Sequence, residues 1–262
     1  MVPLTEGQRR PVLSIDLGAS YTKLAWRNAW HGTEEYNSRS KIIQLDGEEC
    51  VPSLVVDLGG GGKWIFGEEA AKSVPGKGWC PHRNWKAGIF SPDNNSQSIA
   101  VAQDVAKRYI HWILLKVAKE KGSAEVKRAL VRFSVPAFGG EESRRGEARL
   151  RQAAVAAGLA EQVVRFTSEP KSNIIGLASA GRNCVRLFSD GAYPHLGKIY
   201  DSHTLIAAAR QAMIYGVLSR QKIGIIDLGS FTTDFSGLRS SKRRRHRDFR
   251  GIFVSAWSFQ VG

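Results

Sequence analysis

Cysteine is scarce: Cys50, Cys80 and Cys184 are the only three in 262 residues. An odd, widely spaced set makes no disulfide framework, and a reducing cytoplasm is the compartment it suits. Cys80-Pro81-His82 could form half of a metal site, but no second Cys/His pair with ligand spacing accompanies it, so a metal is not expected there. No apolar run approaches the roughly 18–20 residues of a membrane-spanning helix, so a membrane partner is not expected. Residues 1–10 are polar and lack the apolar stretch of a secretion signal. The Walker spacing Gly-x-x-x-x-Gly-Lys-Ser/Thr is missing, so Gly59-Gly60-Gly61-Gly62 reads as a flexible hairpin turn rather than a phosphate loop. Acidic residues are also few, 24 against 38 Lys and Arg, which leaves a net charge of +14. That balance favours acidic partners, nucleic acids and nucleotides among them. Much of the excess sits in Lys242, Arg243, Arg244, Arg245, Arg247 and Arg250. The run reads as a solvated basic loop, with a nucleic-acid-binding patch as the alternative.

What is present is 42% hydrophobic content, enough for a buried core in one large domain or two lobes. Residues 12–17 predict a buried strand that turns at Gly18-Ala19-Ser20 into a second strand over 21–26. Another strand pair is expected over 53–57 and 63–66. Residues 68–98, rich in Gly, Pro, Asn and Ser, read as mostly irregular. The spacing of Val101, Val105, Ile110, Ile113, Leu114 and Val117 predicts an amphipathic helix over 99–121, ended by Gly122. A strand over 128–135 stops at Pro136, and a helix over 141–157 closes at Gly158. A strand over 162–167 leads to a helix over 170–180. Residues 203–218 predict one helix within a segment of mixed character. Strands are expected over 222–228, 232–238 and 250–259. The order predicts an α/β fold with a polar tail over 1–10 and a mixed lobe over 11–181. A connection or insertion over 182–221 follows, then the first strands of a second lobe over 222–262, with a basic turn at 239–250.

Two segments echo one another. Ile15-Asp16-Leu17-Gly18-Ala19-Ser20-Tyr21-Thr22 and Ile226-Asp227-Leu228-Gly229-Ser230-Phe231-Thr232-Thr233-Asp234 each end a β-branched strand on Asp and turn through small residues into another strand. Backbone N–H groups at such a turn can surround phosphate oxygens, and glycine permits close approach. A carboxylate at the strand end can hold Mg²⁺ through retained waters. Two facing hairpins would grip a polyphosphate from both sides. Two ordinary hairpins would carry the same letters, and Asp16 and Asp227 could serve the turns alone.

These segments, with others in the same order, resemble the ATPase domain of the DnaK-type heat-shock chaperones (heat shock protein 70 family), within the actin and sugar kinase superfamily. The other stretches are Val51-Pro52-Ser53, Phe66-Gly67-Glu68-Glu69-Ala70-Ala71-Lys72, Ser134-Val135-Pro136-Ala137-Phe138, Ala156-Ala157-Gly158-Leu159 and Ser168-Glu169-Pro170. The resemblance implies a ribonuclease H-like, actin-like ATPase lobe, with ATP and Mg²⁺ as cofactors. It implies that Asp16 and Asp227 hold the Mg²⁺ water shell and that Gly18, Ala19, Ser20 and Tyr21 contact phosphates. Gly229, Ser230, Phe231 and Thr232 would do the same from the second hairpin, with Thr232 beside the γ-phosphate. Glu169 would help place the attacking water, Lys86 would be the phosphate-directed lysine, and Pro136 would couple nucleotide state to a partner domain. Each has a plainer reading: Glu169 as a helix N-terminal residue, Lys86 as a surface lysine, Pro136 as a strand terminator.

Three departures from that family stand out. Ser230-Phe231 replaces its usual glycine pair, and Ser-x-Thr-Thr-Asp is similar to some actin-like filament proteins. The segment 181–221 exceeds the usual connection. No Gly-Gly-Ser/Thr motif for the adenosine follows Asp234, so the second lobe is expected to be incomplete. The leading expectation is an ATP-binding, chaperone-like ATPase with protein clients or co-chaperones, and with self-association through the incomplete lobe. The alternatives are an actin-like filament or DNA-segregation ATPase, a degenerate nucleotide binder, and a basic nucleic-acid adaptor.

Overall fold

The computed structural model describes residues 10–29, 40–59, 62–92, 95–138 and 140–169, together with the backbone of three further strands within 222–260. Alternating apolar residues build β1 (Val12–Leu17) and β2 (Tyr21–Arg27), which pair antiparallel from Val12↔Arg27 to Leu17↔Thr22. The outer edge of β2 pairs with β3 (Lys41–Ile43) and, nearer the turn, with β4 (Cys50–Pro52). On its other edge β1 pairs in parallel with β8 (Leu130–Val135), which pairs in parallel with β9 (Val164–Ser168). The result is a mixed sheet of order β3-β2-β1-β8-β9.

One face of this sheet buries Leu13, Ile15, Leu17, Val131, Phe133, Val135 and Val164. Helices cover it. The longest, α3 (Ser96–Lys121), starts where the Asn95 side chain accepts the Gln97 and Ser98 N–H groups. It buries Tyr109, Ile110, Ile113 and Val117 against the strands. Beside it lie α2 (Trp85–Phe90) and α5 (Gly140–Ala156), while the short α4 (Ser123–Arg128) leads into β8. A second, three-stranded sheet of order β6-β5-β7 joins β5 (Val55–Asp57), β6 (Trp64–Phe66) and β7 (Cys80–His82), followed in sequence after β6 by α1 (Gly67–Lys72). The protein is therefore mixed α/β with helices flanking a mixed sheet. Among the described residues no helix is long and apolar enough to cross a membrane.

The hairpins at 12–27 and 55–66, the long helix, and the strand–helix–strand order of 130–168 follow the sequence pattern. Residues 68–98 do not: α1, β7, α2 and the first turn of α3 occupy a stretch expected to be irregular. Its Gly and Pro residues punctuate short elements instead of preventing them. The three-residue strands β3 and β4 were not expected either. Val101, expected in the core, is 48% exposed, whereas its neighbour Ala102 is buried at 4%. Arg128 ends α4 rather than opening a strand.

Further along, β10 (Lys222–Leu228), β11 (Thr232–Ser240) and β12 (Ile252–Gln260) form an antiparallel meander, with Asp227 paired to Asp234. The expected helices over 170–180 and 203–218, the turn residues Gly229, Ser230 and Phe231, and the basic run from Lys242 to Arg250 lie outside the described residues.

Candidate functional site

Parallel strands present their carboxyl ends on one edge, where α/β sheets most often bind ligands. Here the register aligns Asp16 with Ser134, and Ser134 with Thr167. Period-two alternation places these three on the face away from α3. Asp16 is exposed, and its Oδ1 accepts a 2.5 Å hydrogen bond from the Ser134 hydroxyl. One carboxylate oxygen is thus oriented by the neighbouring strand. Two strand spacings, roughly 10 Å, separate Asp16 from Thr167 across the sheet. Pro136 is buried directly after β8, and Glu169 follows directly on β9.

Lys86 reaches this edge from α2. Its Nζ lies 2.5 Å from Glu169 Oε1, with the two side chains 6% and 14% exposed. The surface-lysine reading of Lys86 is therefore wrong: the ammonium is buried and paired with a carboxylate drawn from 83 residues away. Charges are buried only when paired, so this contact fixes both side chains. Helix α2 is itself held closely. Gly146 on α5 admits the Phe90 ring: a Cβ there would stand 2.2 Å from Phe90 Cδ1. Arg149 of α5 donates to the Ile89 and Ser91 carbonyls at 3.1 and 2.9 Å, satisfying the end of α2.

The turn between β1 and β2 carries Gly18, Ala19, Ser20 and Tyr21. Glycine at 18 is required by the turn itself, because a Cβ would meet the Tyr21 carbonyl oxygen at 2.2 Å. Its presence therefore reflects the hairpin as well as any ligand. Ser20 and Tyr21 are exposed, Tyr21 at 58%. Behind the turn, Ser53 and Thr22 are buried with their hydroxyl oxygens 2.9 Å apart. Trp85, next to Lys86, donates from Nε1 to the Ser53 carbonyl at 2.8 Å. The Tyr109 hydroxyl donates to the Pro52 carbonyl at 3.0 Å. Burial pushes that phenol well above its ordinary value, and the Thr22 and Ser53 hydroxyls offset part of the rise. Among the described residues the buried polar or charged side chains are Thr22, Ser53 and Lys86, and all three stand behind this edge.

The structure thus brings together Lys86 and Glu169, and sets Asp16 beside Ser134 on the same edge as the turn. Asp227 and Thr232 are placed only as backbone positions in β10 and β11, and Gly229, Ser230 and Phe231 lie outside the described residues. Ser134, Ser53 and Trp85 carry contacts at the site that the residue pattern did not assign. A hydroxyl residue near the carboxyl end of a mainly apolar strand was the available signal for Ser134.

A second polar gathering lies between the small sheet and α3. A cavity of about 410 Å³ is bordered by Asp57, Trp64, Cys80, His82, Val101 and Asp104. Trp64 stacks on His82 at 5.5 Å and carries the Arg108 guanidinium at 4.4 Å, and Arg108 also pairs with Asp104 at 2.8 Å. Burial lowers the His82 pKa below 6.5, against the opposing pull of Asp57 and Asp104. Among the described residues no group of three His, Cys, Asp or Glu side chains could hold a metal ion.

No protein-family model matches the chain, and no curated protein matches its sequence.

Proposed function

We propose that this protein binds Mg-ATP at the carboxyl-end edge of its mixed sheet, as a chaperone-like ATPase of the heat-shock and actin superfamily. The observation that carries the proposal is the buried Lys86–Glu169 pair on the edge that also bears Asp16 and the Gly18–Tyr21 turn. Three antiparallel strands continued by two parallel ones, in the order β3-β2-β1-β8-β9, support a ribonuclease H-like lobe.

The residues fit a hydrated cation and a polyphosphate. Asp16 is an exposed carboxylate held by a single described hydroxyl, which suits contact with the waters Mg²⁺ retains. Asp16, with Asp227, would hold that ion. Lys86 is a cation already fixed within the fold, ready to face phosphate oxygens without further ordering. Glu169 holds Lys86 in place through the 2.5 Å contact and would help orient a water at this edge. The turn 18–21 offers backbone N–H groups to oxygens approaching closely. When bound, the metal neutralises charge on the phosphate oxygens; the chain itself contributes positioning and fixed charge.

The test is titration of the protein with a fluorescent ATP analogue, with and without Mg²⁺. Saturable binding that chelation weakens by about tenfold or more is expected. Binding that ignores Mg²⁺, or no binding, removes the proposal.

A further inference from the structure

Ser53, directly after β4, is the side chain on which the turn, β2 and α2 converge, and the phosphate chemistry above gives it no part. It is 3% exposed. Its N–H donates to the Ser20 carbonyl at 2.8 Å, and its hydroxyl donates to the Gly18 carbonyl at 2.7 Å. That commits the single hydroxyl proton, so Thr22 is the donor in the 2.9 Å contact between the two hydroxyl oxygens. The carbonyl of Ser53 accepts the Trp85 indole N–H at 2.8 Å. A buried polar group persists when it is satisfied, and Ser53 is satisfied through three different atoms.

A turn that receives an anion must keep carbonyl oxygens away from it, because their partial negative charge repels phosphate. Two of the four turn carbonyls, those of Gly18 and Ser20, are held by Ser53. The same residue holds Trp85, the immediate neighbour of Lys86. We infer that Ser53 is a positioning residue, which fixes the carbonyls of the phosphate turn and ties that turn to the helix carrying Lys86. The inference rests on the Mg-ATP reading of this edge. Its consequence is mechanical: the turn and the lysine are one unit, so loosening Ser53 loosens both.

Ser53→Ala removes the hydroxyl and Ser53→Thr retains it. Val126→Ala, a buried position on α4 at the far end of β8, controls for lost stability alone. Without nucleotide, amides of residues 18–22 should exchange with solvent about tenfold faster in Ser53→Ala than in wild type. Mg-ATP affinity should fall about tenfold, with Ser53→Thr restoring most of both losses and Val126→Ala moving neither. Unchanged exchange in Ser53→Ala, or equal losses in Val126→Ala, overturns the clamp. Faster exchange with undiminished Mg-ATP affinity overturns the positioning role. Wild-type protein that fails to bind Mg-ATP overturns the nucleotide reading and the positioning role with it, a failure distinguishable because the exchange data report the clamp without ligand.

Discussion

At the β1–β8–β9 edge the polar side chains Thr22, Ser53 and Lys86 are buried, whereas around the cavity beside β5–β6–β7 the groups Asp57, His82 and Asp104 remain partly open to solvent. The cost of desolvation makes the contrast informative. A buried hydroxyl or ammonium costs several kcal/mol, on the order of 2–7 for a neutral group, unless partners replace its water. At the edge every one of the three has a protein partner at 2.9 Å or closer. Around the cavity water can share that task, and Arg108 engages Asp104 at a partly exposed site. The edge is therefore held by buried protein contacts, while the groups around the cavity are held by partly solvated ones.

Removing one member of the buried pair is the severest way to break the contrast. Lys86→Met should leave the Glu169 carboxylate poorly compensated and cost about 3 kcal/mol, read from urea denaturation. Lys116→Met is the comparison. Its ion pair with Asp46 is more than a third exposed on both sides, so the loss should stay below about 1 kcal/mol. Equal losses would mean that the Lys86–Glu169 pair is not a buried one.

Gly146→Ala should cost about 1–3 kcal/mol, since its methyl group enters the space of the Phe90 ring and pushes α2 outward. Val101→Ala at the cavity rim should stay within about 0.5 kcal/mol. A tolerated alanine at 146 would show that α2 can shift freely, which the account denies.

The smallest effect concerns acidity. Burial lowers the His82 pKa below 6.5 despite Asp57 and Asp104, so the fold favours the neutral ring. The unfolded chain then takes up more protons on acidification. Stability present above pH 6.5 is lost as pH falls through the lowered folded value. Denaturation at about pH 7.5 and about pH 5.5 should show His82→Gln losing less stability over that interval than wild type. An equal or larger loss in the variant would reverse the sign assigned to this histidine.

Long periodic elements were legible in the sequence because their patterns span enough residues to stand out. β1, β2, β8, α3 and α5 all obey them. The strands β3, β4 and β7 have three residues each, too few for a period; β5 and β6 are as short, but the glycine run between them marked their hairpin. The site was legible in part for the same reason. Asp16 and the turn follow a strong strand, so their placement follows from β1. Lys86 reads as an ordinary lysine until α2 is wedged against α5 and Glu169 arrives from a distant strand. Ser53 was visible only as a letter within Val51-Pro52-Ser53, because its partners Gly18, Ser20 and Trp85 are joined by tertiary structure.

The most direct test of the central claim is calorimetric titration of Mg-ATP into wild type, Asp16→Asn and Asp104→Asn. The account predicts affinity about tenfold or more weaker for Asp16→Asn, and affinity within about twofold of wild type for Asp104→Asn at the cavity. Unchanged affinity in Asp16→Asn, or an equal loss in Asp104→Asn, would contradict it.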